Sequence, residues 1–592
     1  MQKSSPLKHL PWALRLTYRT APVETVLIIA GLLINRIAPP AALLALQQMV
    51  NAVAEGAGAS AITRPLIWLV LLVVLSELGG SISFFADNRL WDKIYVKVLD
   101  LLMQKASTLS LAQFEQPEIH DLIERTTQGD RGRVFRMVYV SIQSVAIAAG
   151  LLSALALLIT ASPWLAVAAL AMAVPVSWVG VRQGARWFDL VRRQSPGRRF
   201  TQYLGGLLSR REAATELRAY QLVGYFLEKW RRSFARRRAD HLDVRWANVK
   251  EGWLAAVCAA MLFAGALGGA IYLASSGRVG PGEIAVLIGA IRILQASLGH
   301  LAANVGAVWE MGLPVAELRS YLEMAVPAPH TGAGVAFPTP MQGVIRFEGV
   351  TFTYPGGGEP VLRNLTMEIR AGEKVALVGA NGAGKSTLTK LLLGLYQPDA
   401  GRITIDGVPI GEILPDSFRQ NVSCVFQDFV RYNLTLHDNV AVGNLEATPA
   451  QVEAACSAAG LERLPAGPET MLGRTFTGGV ELSGGQWQRI AMARTFVRGA
   501  QLIVLDEPTA ALDPRAEMEV FAKFVELVKG KTALLISHRL GSARMADRVI
   551  VLNDGRVAET GSHDELMAAG GLYAELFKTQ AQWYEEAGGD VA

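Results

Sequence analysis

The chain has 592 residues, of which 51% are hydrophobic and only 18% charged. Ordinary soluble domains carry about a quarter charged residues, so a large part of this chain is solvated by something other than water. Its 57 Lys and Arg against 52 Asp and Glu leave a net charge of +5, too small a surplus to mark the whole chain as a nucleic-acid binder. Cys258, Cys424 and Cys456 are odd in number, far apart and without a CxxC pair, which excludes a disulfide scaffold and a zinc site.

Apolar residues concentrate in the first half of the chain. A hydrocarbon core is crossed by about 20 helical residues, and six segments reach that length: Val23–Val50, Pro65–Phe85, Met137–Thr160, Trp164–Val181, Trp253–Ala274 and Ile284–Gly306. The start of the chain, with Lys3, Lys8, Arg15 and Arg19, is too long and polar for a cleaved leader and is read as mature sequence. Positive charge sets the orientation. Arg89, Lys93, Lys97, Lys105, Arg125, Arg131, Arg133 and Arg136 lie between the second and third segments, and Arg236, Arg237 and Arg238 lie between the fourth and fifth. The other connections carry almost none, Arg278 excepted. The positive-inside rule therefore predicts a multi-pass protein of the inner (cytoplasmic) membrane with both termini and both long loops in the cytoplasm. Helical periodicity in those loops, as at Leu217, Tyr220, Gln221 and Phe226, predicts helices projecting from the membrane.

A Pro/Gly/Ala-rich linker, residues 326–343, separates a transmembrane domain, 1–325, from a soluble domain, 344–582, which ends in a tail, 583–592. The runs Ile345-Arg346-Phe347-Glu348 and Val350-Thr351-Phe352-Thr353 alternate as half-buried strands do. From there strands and helices alternate, which predicts an α/β layout. Val375-Ala376-Leu377-Val378 is a buried-strand run feeding into Gly379-Ala380-Asn381-Gly382-Ala383-Gly384-Lys385-Ser386-Thr387 and then an apolar helix. That is the G-x-x-x-x-G-K-[ST] phosphate loop in the strand-loop-helix setting it requires. Glycines let backbone amides face a phosphate, the helix start adds positive potential, Lys385 balances the outer phosphates, and the Ser386 hydroxyl suits Mg²⁺.

A second buried run, Leu502-Ile503-Val504-Leu505, ends in Asp506 and Glu507, the first placed to hold the metal and the second to polarise an attacking water. Between these motifs, Leu482-Ser483-Gly484-Gly485-Gln486 leads into a helix from Trp487 to Val497, a second anion-binding start. Two phosphate-binding ends are a surplus for one nucleotide unless two chains share.

Through these motifs, in this order, the chain resembles the ATP-binding cassette (ABC) transporter family over nearly its whole length. The resemblance implies an α-helical six-helix transmembrane domain of the exporter type followed by an α/β P-loop nucleotide-binding domain. It implies that Tyr354 stacks on adenine, that Gln427 is the Q-loop glutamine at the catalytic site and the metal, and that Leu482 to Gln486 form the signature, of which Ser483 to Gln486 bind ATP. It further assigns Asp506 and Glu507 to the Walker B pair, Ala511-Leu512-Asp513 to the D-loop and His538 to the switch histidine. ATP and Mg²⁺ follow as ligands. One six-segment region with one cassette implies a half-transporter that pairs head to tail with a second copy of itself or a paralogous half. With both Glu507 and His538 present, a homodimer with two active sites is the simplest reading.

The family also implies short coupling helices, here around Gln113–Arg125, which includes Phe114-Glu115-Gln116-Pro117-Glu118, and around Ala219–Leu227. The stretch Gly473-Arg474-Thr475-Phe476-Thr477-Gly478-Gly479-Val480-Glu481 departs from the Glu-Arg-Gly element of many exporters. Together with Phe426-Gln427-Asp428-Phe429, Trp487-Gln488-Arg489 and Phe114-Glu115-Gln116-Pro117-Glu118 it is similar to lantibiotic and related peptide exporters, and because the first apolar segment starts near the beginning of the sequence no preceding peptidase domain is expected. The resemblance thus implies ATP-driven export of a cargo, peptide before small molecule. A lipid flippase or multidrug exporter is the alternative, and an ATP-gated channel or regulator ranks below both. No nucleic-acid partner is expected. Within the apolar segments Arg36, Glu77, Arg292, Gln295, His300 and Asn304 need a reason to be there, because a charged group at mid-bilayer costs about 2.5–3.5 kcal/mol. Arg292, Gln295 and Asn304 are expected on one helical stripe lining a wet cargo path, with helix-to-helix hydrogen bonding or snorkelling as the competing reading.

Overall fold

The computed structural model describes residues 6–116, 119, 122, 123, 126, 132–161, 163–275, 280–325, 334–461, 467–507, 525, 526, 528–537 and 540–588. It divides into two compact units, Met1–Thr108 with Asp121–Ala325, and Leu109–His120 with Val326–Ala592.

The helices run α1 (Leu10–Thr20), α2 (Pro22–Ala54), α3 (Ala59–Thr108), α4 (Leu111–Phe114), α5 (Arg133–Ala161), α6 (Pro163–Ser209), α7 (Arg211–Ala219), α8 (Val223–Ser275) and α9 (Pro281–Glu323). All but α4 belong to the first unit. Among the described residues α2, α3, α5, α8 and α9 are long and apolar enough to cross a membrane. The fourth expected segment, Trp164–Val181, lies on the continuous helix α6. Membrane segment and polar extension are one helix in each long case. The 53 residues of α8 reach about 80 Å at a rise of about 1.5 Å per residue, against about 30 Å of hydrocarbon. The polar stretches are thus the continuations of the apolar ones, and α6 and α8 are clamped along them. Arg186 and Arg182 approach the Glu251 carboxylate at 2.5 and 3.6 Å, and Gln183 Nε2 donates to the Asn248 carbonyl at 2.8 Å.

Small residues let α2 and α3 approach closely: a Cβ on Gly31 would meet Gly79 O at 2.6 Å, and one on Gly79 would meet Gly31 O at 2.8 Å. Midway along α2, Pro39 and Pro40 have no N–H to offer the carbonyls of Asn35 and Arg36. Ser76 of α3 compensates at the first, its hydroxyl donating to Asn35 O at 3.4 Å while Asn35 Nδ2 donates to Ser76 O at 3.0 Å. At the second, α5 packs so closely that a Cβ on Gly150 would stand 2.7 Å from Arg36 O.

The second unit holds two sheets. Strands β1 (Val344–Phe352), β2 (Leu362–Arg370), β3 (Lys374–Gly379), β4 (Ala400–Ile405), β5 (Val408–Pro409), β6 (Val422–Val425), β7 (Leu502–Asp506), β8 (Thr532–Ile536), β9 (Arg548–Asn553) and β10 (Arg556–Gly561) form the orders β2-β1-β4-β5 and β10-β9-β3-β8-β7-β6. The first sheet is antiparallel. In the second, β9, β3, β8, β7 and β6 are parallel and β10 is antiparallel to β9. The two alternating runs expected as strands merge into β1, whose pairing with β2 slips between Phe347 and Val350, where Gly349 turns left-handed at φ +60°. Val375–Val378 and all of β7 and β8 are buried, the continuous apolar pattern of strands covered on both faces. Phe337, in the expected linker, is buried in the same core and meets Phe418 edge-on at 6.1 Å. Helix α4 belongs here too: Ser110 caps it in a capping box with Gln113, and Leu111 and Ala112 pack on the core around β1 to β3.

Candidate functional site

Parallel strands end their carboxyl termini on one edge of the sheet, which is where an open α/β sheet builds its site. The edge here collects the loop after β3 (Gly379–Gly384), Gln427 after β6, Asp506 and Glu507 at the end of β7, and Ser537 after β8.

The phosphate loop opens helix α10 (Lys385–Leu392). Gly384 has φ +102°, and a Cβ there would collide with Leu362 Cδ2 at 2.6 Å, so the position accepts no side chain. Ala380, Asn381, Gly382 and Ser386 are exposed, whereas Ala383, Gly384, Lys385 and Thr387 are buried. Lys385 Nζ donates to the carbonyls of Gly379 at 2.8 Å and Ala380 at 2.9 Å, which holds the ammonium inside the loop. Burial lowers its pKa, and the nearby Glu507 and Asp506 carboxylates work against that. Thr387 Oγ1 shares a 3.1 Å hydrogen bond with the Tyr354 hydroxyl, so the loop and the residue expected under adenine are physically joined.

Asp506 is 5% exposed. Burial and the neighbouring Glu507 push its pKa up to about 6, against the Ser386 hydrogen bond and Lys385. Its Oδ1 is buried without a hydrogen-bond partner. A buried, unpartnered carboxylate oxygen beside a serine hydroxyl is a hard-oxygen donor set of the kind that Mg²⁺ takes, so the residues present fit that ion. Glu507 sits in the left-handed region at φ +51°, with its amide donating to Ile536 O at 3.0 Å. Its Oε2 accepts from Gln427 Nε2 at 2.8 Å. Gln427 thereby has Oε1 as its oxygen for a cation, and Glu507 is aimed by its partner rather than by a relaxed backbone.

The signature opens α11 (Gly484–Arg498) with a capping box: Gln486 N donates to Ser483 Oγ at 3.3 Å, and Ser483 N donates to Gln486 Oε1 at 2.8 Å. Both of those amides are used internally, so the amides offered to an anion are those of Gly484 and Gly485 at the first turn. Asp513, with the rest of the D-loop, and His538 lie outside the described residues.

One clamp was not anticipated from sequence. Arg494 of α11 donates to Asn439 O at 2.7 Å, Asn439 Oδ1 at 2.8 Å and Val430 O at 2.8 Å, and lies 4.7 Å over the Tyr432 ring. Asn439 Nδ2 in turn donates to the carbonyls of Tyr432, Leu434 and Thr435. The segment that follows Gln427 is thereby pinned to the signature helix. The available signal was an arginine in the interior of an otherwise apolar helix face, which requires a set of acceptors.

In the first unit the expected polar stripe is separated. Arg292 and His300 are exposed and Gln295 is half-buried, while Asn304 Nδ2 donates across to α5, to Ser144 Oγ at 3.1 Å and Gln143 Oε1 at 3.3 Å. Gln295 and Asn304 are nine positions apart, about two and a half turns, and therefore on opposite sides of α9. Glu77 is exposed on α3, and Arg36 Nε is buried without a hydrogen-bond partner.

Fold and site together define an ATP-binding cassette joined on one chain to a helical membrane unit. The ABC transporter family model matches residues 362–510. The subtilin transport ATP-binding protein SpaT of Bacillus subtilis is 30% identical, covering 97% of this chain and 94% of that protein. The nisin transport ATP-binding protein NisT of Lactococcus lactis subsp. lactis is also 30% identical, covering 97% and 96%. An ATP-dependent lipid A-core flippase of Chromobacterium violaceum is 30% identical over 87% of this chain and 88% of its own. A solved structure of a bacterial Atm1-family ABC exporter with ATP bound superposes with a TM-score of 0.74 at 25% identity, covering 95% of this chain and 98% of that one. The chain belongs to the ABC transporter family. It has the exporter fold, a membrane region followed by an ATP-binding domain, and couples ATP hydrolysis to transport.

Proposed function

We propose that two identical copies of this chain form an exporter of a peptide cargo in the inner membrane, with cassettes and termini in the cytoplasm. The cargo reading is carried by one observation: the subtilin and nisin transport proteins are similar across membrane region and cassette alike, 97% of the chain in each case. Lipid is the second reading, favoured by the lipid A-core flippase that covers 87% of the chain at the same identity.

In this reading ATP binds with its base on Tyr354 and its phosphates in the Gly379–Thr387 loop. Lys385 turns from the loop carbonyls toward the outer phosphates, exchanging two neutral acceptors for charged ones. Gly484 and Gly485 of the second copy offer their first-turn amides to the γ-phosphate from the other side, with Ser483 beside them, and Asp513 keeps the ATP-site role that the family resemblance gives it. Ser386, Asp506 and Gln427 would hold Mg²⁺, which supplies charge neutralisation at the transferring phosphoryl group. Glu507, oriented by Gln427, accepts a proton from the attacking water, and His538 senses the γ-phosphate. Because the nucleotide is complete only between two cassettes, ATP favours the closed pair and its hydrolysis releases it; that differential binding turns the membrane helices between inward and outward access. Arg36, Arg292 and His300 are the polar groups assigned to the cargo path.

The test is ATPase activity and uptake in inside-out proteoliposomes supplied with a cationic lantibiotic-type peptide or with a glycolipid. Peptide-stimulated ATPase with peptide accumulating in the lumen supports the reading; stimulation by lipid alone transfers it to the flippase.

A further inference from the structure

Beside the phosphate loop, Tyr354 is held by three residues to which no role has yet been given, Phe352, Tyr396 and Lys390. Tyr354 and Tyr396 meet edge-on at 5.5 Å, and Phe352 meets both edge-on, at 5.1 Å and 5.2 Å. Such pairs hold one another's orientation, since the positive edge of one ring seeks the negative face of the next. Lys390, on the last turn of α10, places its ammonium 5.1 Å from the centre of the Tyr354 ring and 5.7 Å from that of Tyr396. One residue from far earlier in the chain fastens this assembly. Glu115, just after α4, receives Lys390 Nζ at 3.4 Å and accepts a hydrogen bond from the Tyr396 hydroxyl. Tyr396 is 6% exposed, and burial together with the Glu115 carboxylate pushes its pKa well above the ordinary tyrosine range, so its hydroxyl is a donor throughout the physiological range.

We infer that Glu115, acting through Tyr396 and Lys390, is a positioning residue for the adenine base: it fixes the two groups that back Tyr354 and thereby sets how well that ring stacks. The inference rests on the reading of Tyr354 as the base-stacking residue. The phosphate loop does not depend on Glu115, because its order comes from Lys385, from Gly384 and from the β3–α10 junction. Two ligands therefore separate the roles: ATP, which has a base, and inorganic tripolyphosphate, which has none. By linkage, a base seated on Tyr354 also holds the Leu111–Gln116 segment more firmly, because the two share Tyr396 and Lys390.

The experiment uses the full chain in lipid nanodiscs, in EDTA so that nothing turns over, and measures dissociation constants for ATP and tripolyphosphate. Glu115→Gln removes the charge and keeps the shape. ATP binding is expected to weaken by about fivefold, the scale of one half-exposed charged contact, with tripolyphosphate binding unchanged. Tyr396→Phe keeps the ring and removes the hydroxyl; it is expected to shift ATP in the same direction, and the double variant by less than the product of the two. Amide exchange across residues 111–116 is expected to slow with ATP and not with tripolyphosphate. Equal weakening of both ligands, or no change in either, overturns the inference. Tyr354→Ala serves as the control for the underlying reading. If it lowers ATP affinity selectively while Glu115→Gln does not, the inference alone fails. If it leaves the ratio of the two ligands unchanged, base stacking on Tyr354 and the inference fail together.

Discussion

Gln427 donates its side-chain amide to the Glu507 carboxylate at 2.8 Å, joining the residues that follow two adjacent parallel strands, β6 and β7. Glu507 itself is held at φ +51°, a conformation that costs a residue with a side chain about 1–2 kcal/mol. A residue kept in that region by its surroundings is aimed by them. Glu507→Gln retains an oxygen to accept from Gln427, so geometry survives while basicity is lost. ATPase turnover is expected to fall by about a hundredfold or more with ATP binding intact, measured by phosphate release and by nucleotide retention. Gln427→Ala leaves the base and removes its guide, and a fall of roughly tenfold in turnover is expected. Unchanged turnover in Glu507→Gln would remove it from the role of base.

Asp506 illustrates a site held at a cost to the resting fold. Its carboxylate is buried, one oxygen has no partner, and its pKa is pushed up to about 6 by burial and by Glu507. Asp506→Asn removes the buried charge. The nucleotide-free, metal-free protein is expected to gain about 2 kcal/mol of stability, read as a higher Tm, while ATPase activity is lost. A lower Tm would mean that the carboxylate is satisfied in the resting protein.

The Glu373–Arg548 pair predicts a pH dependence. Arg548 Nε and a terminal nitrogen reach the two Glu373 oxygens at 2.6 and 2.9 Å, tying the turn before β3 to the start of β9. Burial alone pushes the Glu373 carboxyl upward, but the hydrogen bonds from Arg548 and the Arg370 amide outweigh it and hold the group below its usual value of 4.5. A carboxyl depressed in the fold stabilises above its unfolded pKa, and that stability is lost as pH falls through the folded value. Glu373→Gln is expected to cost about 2 kcal/mol at pH 7, with the difference from the parent protein shrinking below pH of about 4. Thermal melts at the two pH values check it, with ATP affinity at pH 7 unaffected.

Asn304 gives a prediction for the membrane unit. Its hydrogen bonds to Ser144 and Gln143 join α9 to α5. Interhelical hydrogen bonds in membrane proteins average about 0.6 kcal/mol in double-mutant cycles. A cycle of Asn304→Ala and Ser144→Ala, followed by unfolding in detergent micelles, is expected to return a coupling of that size. Cargo stimulation that disappears with Asn304→Ala while the coupling is zero would make Asn304 a cargo residue instead.

What could be read from the residues differs sharply between kinds of feature. The phosphate loop, Asp506 and Glu507 were legible because each is a short run whose chemistry is local: a strand, a turn and a polar group at its end. Five of the six apolar segments were legible as membrane-length helices because hydrocarbon imposes a length. Features that depend on pairings distant in sequence were not. Nothing in Ser110–Gln116 states that Leu111 and Ala112 pack on a core assembled from residues beyond 337, or that Glu115 would meet Tyr396. The capping box at Ser483 was present as Ser-Gly-Gly-Gln, yet its consequence, that two amides are already committed, emerges only from its geometry. The expected stripe on α9 failed for a simpler reason: the nine positions from Gln295 to Asn304 amount to about two and a half turns, which puts the two side chains on opposite sides of the helix.

The adjacent prolines of α2 carry one further consequence. A membrane helix without two successive rungs in its ladder behaves as a pair of shorter rods sharing an articulation, here near Asn35 and Arg36. The contacts that secure this joint come from Ser76 and Gly150, on other helices, so its stiffness is set by neighbours and not by α2 itself. With two rungs absent here, the two halves of α2 can change their angle at a lower cost than at any other point along the helix.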